Sequence, residues 1–311
     1  GGAISATALL QGSFELLLLG AAFTGMYHST QGYFRFAAAD TASERFGPKA
    51  ISWVLAGGLV AAFLGPEVVR ATADYFTPVP YAGAYATVVL LNIVGSLCFF
   101  FLDIPTPQRR TGDTSSSRSL GVIFRQPKTL VAVICAMVTY ALMSLVMTST
   151  SLAMHGAGFT TDHAADVVRW HVIAMFLPSF FTGSLILRFG HLRVMTCGLI
   201  LLGISGTIAL SGTGLGHFYL ALIALGLGWN FGFIGATSLL GTTHTPEERS
   251  KVQGLNDFLI FGLVTVASFC SGALLYGYGW ASVQFAMVPA LALAVTAVLW
   301  LAVNSRRNYA A

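Results

Sequence analysis

Apolar runs about twenty residues long alternate with short polar connectors along this 311-residue chain. A helix needs about 20 largely apolar residues to cross hydrocarbon. The runs at 13–34, 49–66, 80–102, 129–153, 166–187, 194–213, 217–241, 255–276 and 280–303 have that length, and residues 1–11 read as the end of a tenth. The pattern predicts an all-α, polytopic transmembrane helical bundle with nine full spans and a partial one. Its longest polar interruption is 103–128, DIPTPQRRTGDTSSSRSLGVIFRQPK, whose Pro, Ser and Arg content reads as a flexible linker. An incomplete N-terminal bundle over 1–102 is therefore expected before the linker, and a six-helix bundle over 129–311 after it. Equality of the two bundles predicts further helices ahead of Gly1.

Charge turns this pattern into a topology. Fourteen of the sixteen Lys and Arg residues fall in every second connector: Arg35, Arg45 and Lys49; Arg109, Arg110, Arg118, Arg125 and Lys128; Arg188 and Arg193; Arg249 and Lys251; Arg306 and Arg307. Short loops rich in Lys and Arg stay cytoplasmic, so the linker and the C-terminus are expected inside. Only 9% of the residues are charged, against about 25% in an average soluble domain, and mean hydropathy is +0.75. The net charge of +4 is spread over five connectors instead of one face, which argues against nucleic acid as a partner. Cys98, Cys135, Cys197 and Cys270 all lie inside apolar runs without ligand spacing, so neither a disulfide nor a metal site is expected. No sequence feature asks for a cofactor. The expected partners are the lipid bilayer and a small-molecule solute, with the proton as a candidate co-substrate, and the chain is expected to be monomeric.

The connectors also repeat. ADTASERFGPKAIS follows the span 13–34, and GTTHTPEERSKVQG follows 217–241. Glu44 and Arg45 align with Glu248 and Arg249 at an offset of 204, and Lys49 aligns with Lys251 at 202. Such internal repetition supports two equal halves. The segment GSLILRFGHLR, holding Gly183, Arg188, Gly190 and Arg193, resembles the G-x-x-x-D-R-x-G-R-R motif of the major facilitator superfamily. Leu187 stands where that motif has aspartate. Gly65 and Pro66 resemble the centre of the family's proton-antiporter motif, although Ser52, Ala61, Val69 and Arg70 replace its glycines. FRFAAAD, HVIAMFLPSFFTG and PEERSKVQGLNDF resemble a branch of bacterial permeases. This resemblance implies a pseudo-symmetric pair of six-helix bundles in a bacterial cytoplasmic membrane, with alternating access through a cavity between them. It further implies a cytoplasmic gate containing Gly183, Arg188, Gly190 and Arg193, to which Glu44, Arg45, Glu248, Arg249 and Asp257 are added as charged neighbours. The competing classes are an intramembrane enzyme and a non-transporting sensor or relic. The enzyme reading lacks clustered acidic, H-E-x-x-H or nucleophile-base motifs, and no nucleotide-binding loop is present for an ATP-driven pump.

Polar residues inside spans are costly in hydrocarbon and tend to face a bundle interior or an aqueous cavity. Thr24, Tyr27, His28 and Gln31 recur at helical spacing on one face of 13–34. Tyr140, Ser144, Thr148 and Ser151 do so in 129–153, while Asn230 and Thr237 share a face of 217–241 beside Trp229. These helices would be the fourth, seventh and tenth of a twelve-helix carrier, and the resemblance implies that all three line its central cavity. Thr24, Tyr27, His28, Gln31, Tyr140, Ser144, Trp229, Asn230 and Thr237 are thus the cavity candidates. The opposing reading is that serine and threonine bond their own backbone or join helices, and that Trp229 is packing. His28 and His171 are candidates for proton coupling, since histidine titrates near neutrality; a satisfied structural histidine is the alternative. Gly228 and Gly232 form a G-x-x-x-G pair, read as close packing inside the bundle in preference to dimerisation. A neutral, zwitterionic or aromatic metabolite fits these side chains better than a strongly ionic one, and a vitamin-like solute is within that range.

Overall fold

The computed structural model describes residues 1–43, 45–101 and 118–310, so Glu44 and most of the 103–128 linker lie outside the described residues. Among the described residues every regular element is helical. Two compact units emerge, one from Gly1–Ser43 and 60–101, the other from 45–59 and 118–310.

In the first unit α1 (Gly2–Gln11) ends at Gly12, whose φ of 65° is open to glycine at no steric cost. Ser13 then starts α2 (Phe14–Gly32), its hydroxyl accepting from Leu16 N at 3.2 Å. The break expected between 1–11 and 13–34 is therefore built from a glycine stop and a serine cap. α3 (Phe34–Thr41) follows. The next span, Gly47–Thr72, consists of α4 (Gly47–Ala56), with Pro48 in its first turn, and α5 (Gly58–Thr72). α6 (Ala82–Ser96) continues into a 3-10 turn over Leu97–Phe101. α1 packs on α2 and α6 through small residues, among them the buried Ser5, Ala6, Ala8 and Ala82.

The second unit contains α7 (Leu120–Phe124), α8 (Pro127–Gly156), α9 (Thr161–Phe176), α10 (Ser179–Phe189), α11 (His191–Ser211), α12 (Leu215–Gly241), α13 (Arg249–Tyr278), α14 (Trp280–Phe285) and α15 (Met287–Ala310). Its centre is α12, which touches α4, α8, α9, α10 and α11. That position explains its glycines. A methyl group on Gly226 would strike the backbone of His171 and Met175 in α9. Another on Gly198 of α11 would strike the backbone of Gly228 and Gly232. The G-x-x-x-G pair thus serves close packing within the unit, as expected. α4 packs on α10, where Gly183 leaves room for Pro48 and Lys49, so this helix joins the second unit although it precedes the linker.

Among the described residues, eight helical segments are long and apolar enough to cross a membrane: 47–72, 82–101, 127–156, 161–189, 191–211, 215–241, 249–278 and 280–304. They match eight of the nine expected spans. The ninth, 13–34, forms a helix of 19 residues but is not among the eight. Its Glu15 and the polar stripe from Thr24 to Gln31 dilute the apolar run.

Candidate functional site

Five aromatic rings from four helices meet inside the second unit. Trp229 and Phe233, one turn apart on α12, stack at 5.0 Å with 15° between their planes. Tyr140 of α8 presents its edge to both, at 5.5 and 5.2 Å, and approaches Phe261 of α13 at 5.8 Å. Phe176, at the end of α9, meets Trp229 at 5.8 Å and 75°. Offset and edge-to-face pairs of this kind place ring edges against ring faces and favour planar partners. The Trp229 indole Nε1 is buried without a hydrogen-bond partner, as are the hydroxyls of Thr139 and Thr237 nearby on α8 and α12. A buried N–H of this kind is a donor in want of an acceptor. Trp229 and Phe233 are only 2% and 1% exposed, so the cluster is packed within the core of the unit; it combines flat rings with unpaired polar atoms and carries no fixed charge.

The sequence selects Tyr140 and Trp229 and misses Phe176, Phe233 and Phe261. Phenylalanine is apolar and the chain has 23 of them, so a search for polar groups in hydrocarbon passes over them. The four-residue spacing of Trp229 and Phe233 is the one local signal that points to a shared face.

Asn230 sits differently from the expectation. It is fully buried, with Nδ2 donating to Met175 O at 2.6 Å and to Ser179 Oγ at 2.7 Å. Its Oδ1 accepts from Thr182 Oγ1 at 2.6 Å. The amide is consumed by helix-to-helix bonds, so in this conformation Asn230 is a tie between α9, α10 and α12, not a cavity-lining group. Ser144 likewise bonds Ser268 Oγ of α13 at 3.0 Å. His171 is fully buried, its Nδ1 bonded to Leu222 O at 2.7 Å, while its Nε2 is buried without a partner. Thr24, Tyr27, His28 and Gln31 occupy an exposed face of α2 in the first unit, with Thr24 Oγ1 returning to Gly20 O at 2.9 Å. Asp166 lies within 3.9 Å of Arg169 and accepts from Tyr219 Oη.

Among the charged gate candidates, Glu248 is gripped by a residue outside the candidate set, Arg118. Arg118, inside the 103–128 linker and the first residue described after 101, donates through Nε to Glu248 Oε1 at 2.8 Å and through Nη2 to Oε2 at 2.6 Å. Its backbone N–H also reaches Oε1, at 3.0 Å, and Nη2 reaches Thr243 O at 3.1 Å. Thr245 N donates to Glu248 Oε2, and Lys251 Nζ to Arg118 O. This bidentate grip holds the Glu248 carboxyl far below its usual range, at about 2, with the Arg118 side-chain hydrogen bonds as the largest cause. Arg118 was legible in the sequence only as part of the linker's positive charge. Of the other gate candidates, Gly183 gives α4 its seat and Gly190, at φ 85°, turns the chain from α10 into α11. Arg188 lies over the Phe189 ring at 5.2 Å, while Arg45 and Arg193 are exposed. Arg249 is half-buried, and Asp257 accepts from Asn256 Nδ2 at 3.1 Å. An apolar cavity of about 430 Å³ lies at the other end of the unit, bounded by Leu152, Gly156, Phe218, Tyr276 and Trp280, and includes none of the candidates.

Comparison with known proteins places this geometry. Residues 163–310 match the family model of the Major Facilitator Superfamily. The riboflavin transporter RfnT of Brucella anthropi is 43% identical over 299 residues, which span 96% of this chain and 75% of that one. YdeG of Bacillus subtilis, an uncharacterised transporter of the same type, is 25% identical over 93% of this chain and 70% of its own. Among solved structures, the transporter FucP in its outward conformation matches with a TM-score of 0.71 at 15% identity, over 96% of this chain and 79% of that one. A bacterial homologue of the iron transporter ferroportin, outward-facing, matches with a TM-score of 0.70 at 16% identity, over 94% and 74%. The chain belongs to the major facilitator superfamily of membrane transporters.

Proposed function

We propose that this protein is a secondary carrier for riboflavin or a closely related planar, neutral heteroaromatic solute, working by alternating access in a bacterial cytoplasmic membrane. The observation that carries the reading is the 43% identity to a riboflavin transporter across nearly the whole chain. The aromatic cluster supports it. A tricyclic ring system is flat, largely uncharged and rich in hydrogen-bond acceptors, which suits a cluster of rings with an unpaired indole N–H once a change of access opens the packed core around it. Tyr140, Trp229 and Phe233 are accordingly the proposed solute-facing residues. The Lys and Arg tally supports a cytoplasmic linker and C-terminus, and His28 is the proposed proton-coupling residue, since His171 is enclosed.

The test is uptake of radiolabelled riboflavin by a riboflavin auxotroph without its own carrier, expressing the intact protein. Growth at low external riboflavin and saturable uptake, competed by unlabelled riboflavin but not by a hexose, are expected. Trp229→Leu should raise the KM about twofold to tenfold, because an aromatic contact contributes roughly 0.5–1.5 kcal/mol beyond area burial. Absence of uptake at membrane abundance equal to a working flavin carrier would overturn the reading.

A further inference from the structure

This inference rests on the aromatic cluster being a solute-binding surface. Pro178 interrupts the span 161–189: it has no N–H to donate, and its ring crowds the carbonyl four residues earlier. α9 accordingly stops at Phe176 and α10 restarts at Ser179. In hydrocarbon the polar groups freed by such a break must be satisfied by neighbouring helices. Asn230 does this from α12, through Met175 O and Ser179 Oγ on one side and Thr182 Oγ1 on the other. Thr182 Oγ1 also lies 2.8 Å from Pro178 O, so its one hydroxyl proton is shared between that carbonyl and Asn230 Oδ1, and the contacts bracket the break. Above it, Gly226 brings α12 against α9, and His171 is bonded to Leu222 O.

The residue preceding Asn230 is Trp229, and the residue following Met175 is Phe176. The amide knot and the Phe176–Trp229 ring pair are thus next to each other on both helices. A helix that ended a few degrees elsewhere would carry the Phe176 ring away from the indole. We propose that Asn230 is a positioning residue: it pins the Pro178 break so that Phe176 stands as one wall of the aromatic cluster, and it sets solute affinity without touching the solute. Thr182 is its partner in this role.

The test uses the intact protein with Thr182→Val, Thr182→Ser, Asn230→Ala, Phe176→Leu and the Asn230→Ala/Phe176→Leu double variant. Riboflavin uptake kinetics are measured at matched membrane abundance. In parallel, Trp229 emission is recorded in versions with every other tryptophan replaced by phenylalanine. Thr182→Val is expected to raise KM about twofold to tenfold, the range for one lost hydrogen bond, with the maximal rate nearly unchanged. Thr182→Ser should restore KM. Asn230→Ala and Phe176→Leu should each raise KM, and the double variant should be no worse than the worse single, since both remove the same wall. Loss of abundance or rate with KM unchanged would overturn the proposal, as would fully additive effects. If the wild-type protein takes up no riboflavin, the flavin reading fails and emission decides the inference. A Trp229 emission shift in Thr182→Val that Thr182→Ser reverses sustains the positioning role; unshifted emission overturns it.

Discussion

Glu248 and His28 lie in different settings, and variants at the two should respond differently to pH. Glu248 is buried with Arg118 on both carboxylate oxygens, and its carboxyl titrates at about 2 instead of 4.5. An acid depressed in the folded state stabilises it fully above its ordinary value, and the contribution is lost as pH falls through the folded one. Glu248→Gln should therefore lower the melting temperature of the detergent-purified protein by a constant margin near neutrality. The margin should close between about pH 4.5 and about pH 2; a margin as wide at the acid end would show that the Arg118 grip stabilises by shape alone. His28 lies exposed on α2. His28→Gln should flatten the pH dependence of uptake while counterflow exchange survives, and an unchanged profile would remove it as the coupling residue. Sequence polarity located Asn230 but gave its role wrongly for this conformation, because an amide that joins helices and one that faces a cavity have the same composition and spacing. Arg118 and Glu248 stand 130 residues apart, so nothing local in the chain pairs them.

At the scale of the element, boundaries were legible to within a few residues because chain chemistry marks them. Gly12 with Ser13, Pro48, Gly190 and Gly279 all stand at helix ends, and apolar length selected eight of the spans. The interruption at Pro178 is not legible in hydropathy, since the residues around it are largely apolar and a membrane helix tolerates proline when its neighbours satisfy the break. Glycine spacing, by contrast, was read correctly as internal packing. Gly198 faces Gly228 and Gly232 so closely that Gly198→Val must push α11 off α12. Overpacking of this kind costs about 1–3 kcal/mol. The variant should melt measurably lower and show faster proteolysis, whereas Gly216→Val, with open space around it, should behave as wild type. Equal melting temperatures for the two would show that the seam yields.

For the whole molecule, family membership and the membrane location follow from pattern, relatives and fold together. Orientation rests on charge. After removal of native cysteines, Ser116→Cys and Asn308→Cys should resist a membrane-impermeant thiol reagent in intact cells and react once the membrane is opened. Labelling of either from outside would invert the topology. The chain's linear order says less about its grouping: 45–59 precede the linker but pack with the helices after it. α4 lies against α10 and α12, with Gly183 giving close approach to Pro48 and Lys49, and no hydropathy profile carries that association.

The central place of α12 also bears on how the chain is made. Synthesis delivers α4 and α8 through α11 before α12 emerges, so every helix it touches through its glycines already stands in the bilayer. A helix with two glycine-lined sides has little to offer acyl chains but fits closely against other backbones. Its arrival would draw these inserted helices together around it, leaving α13 and the last span, 280–304, to pack afterwards.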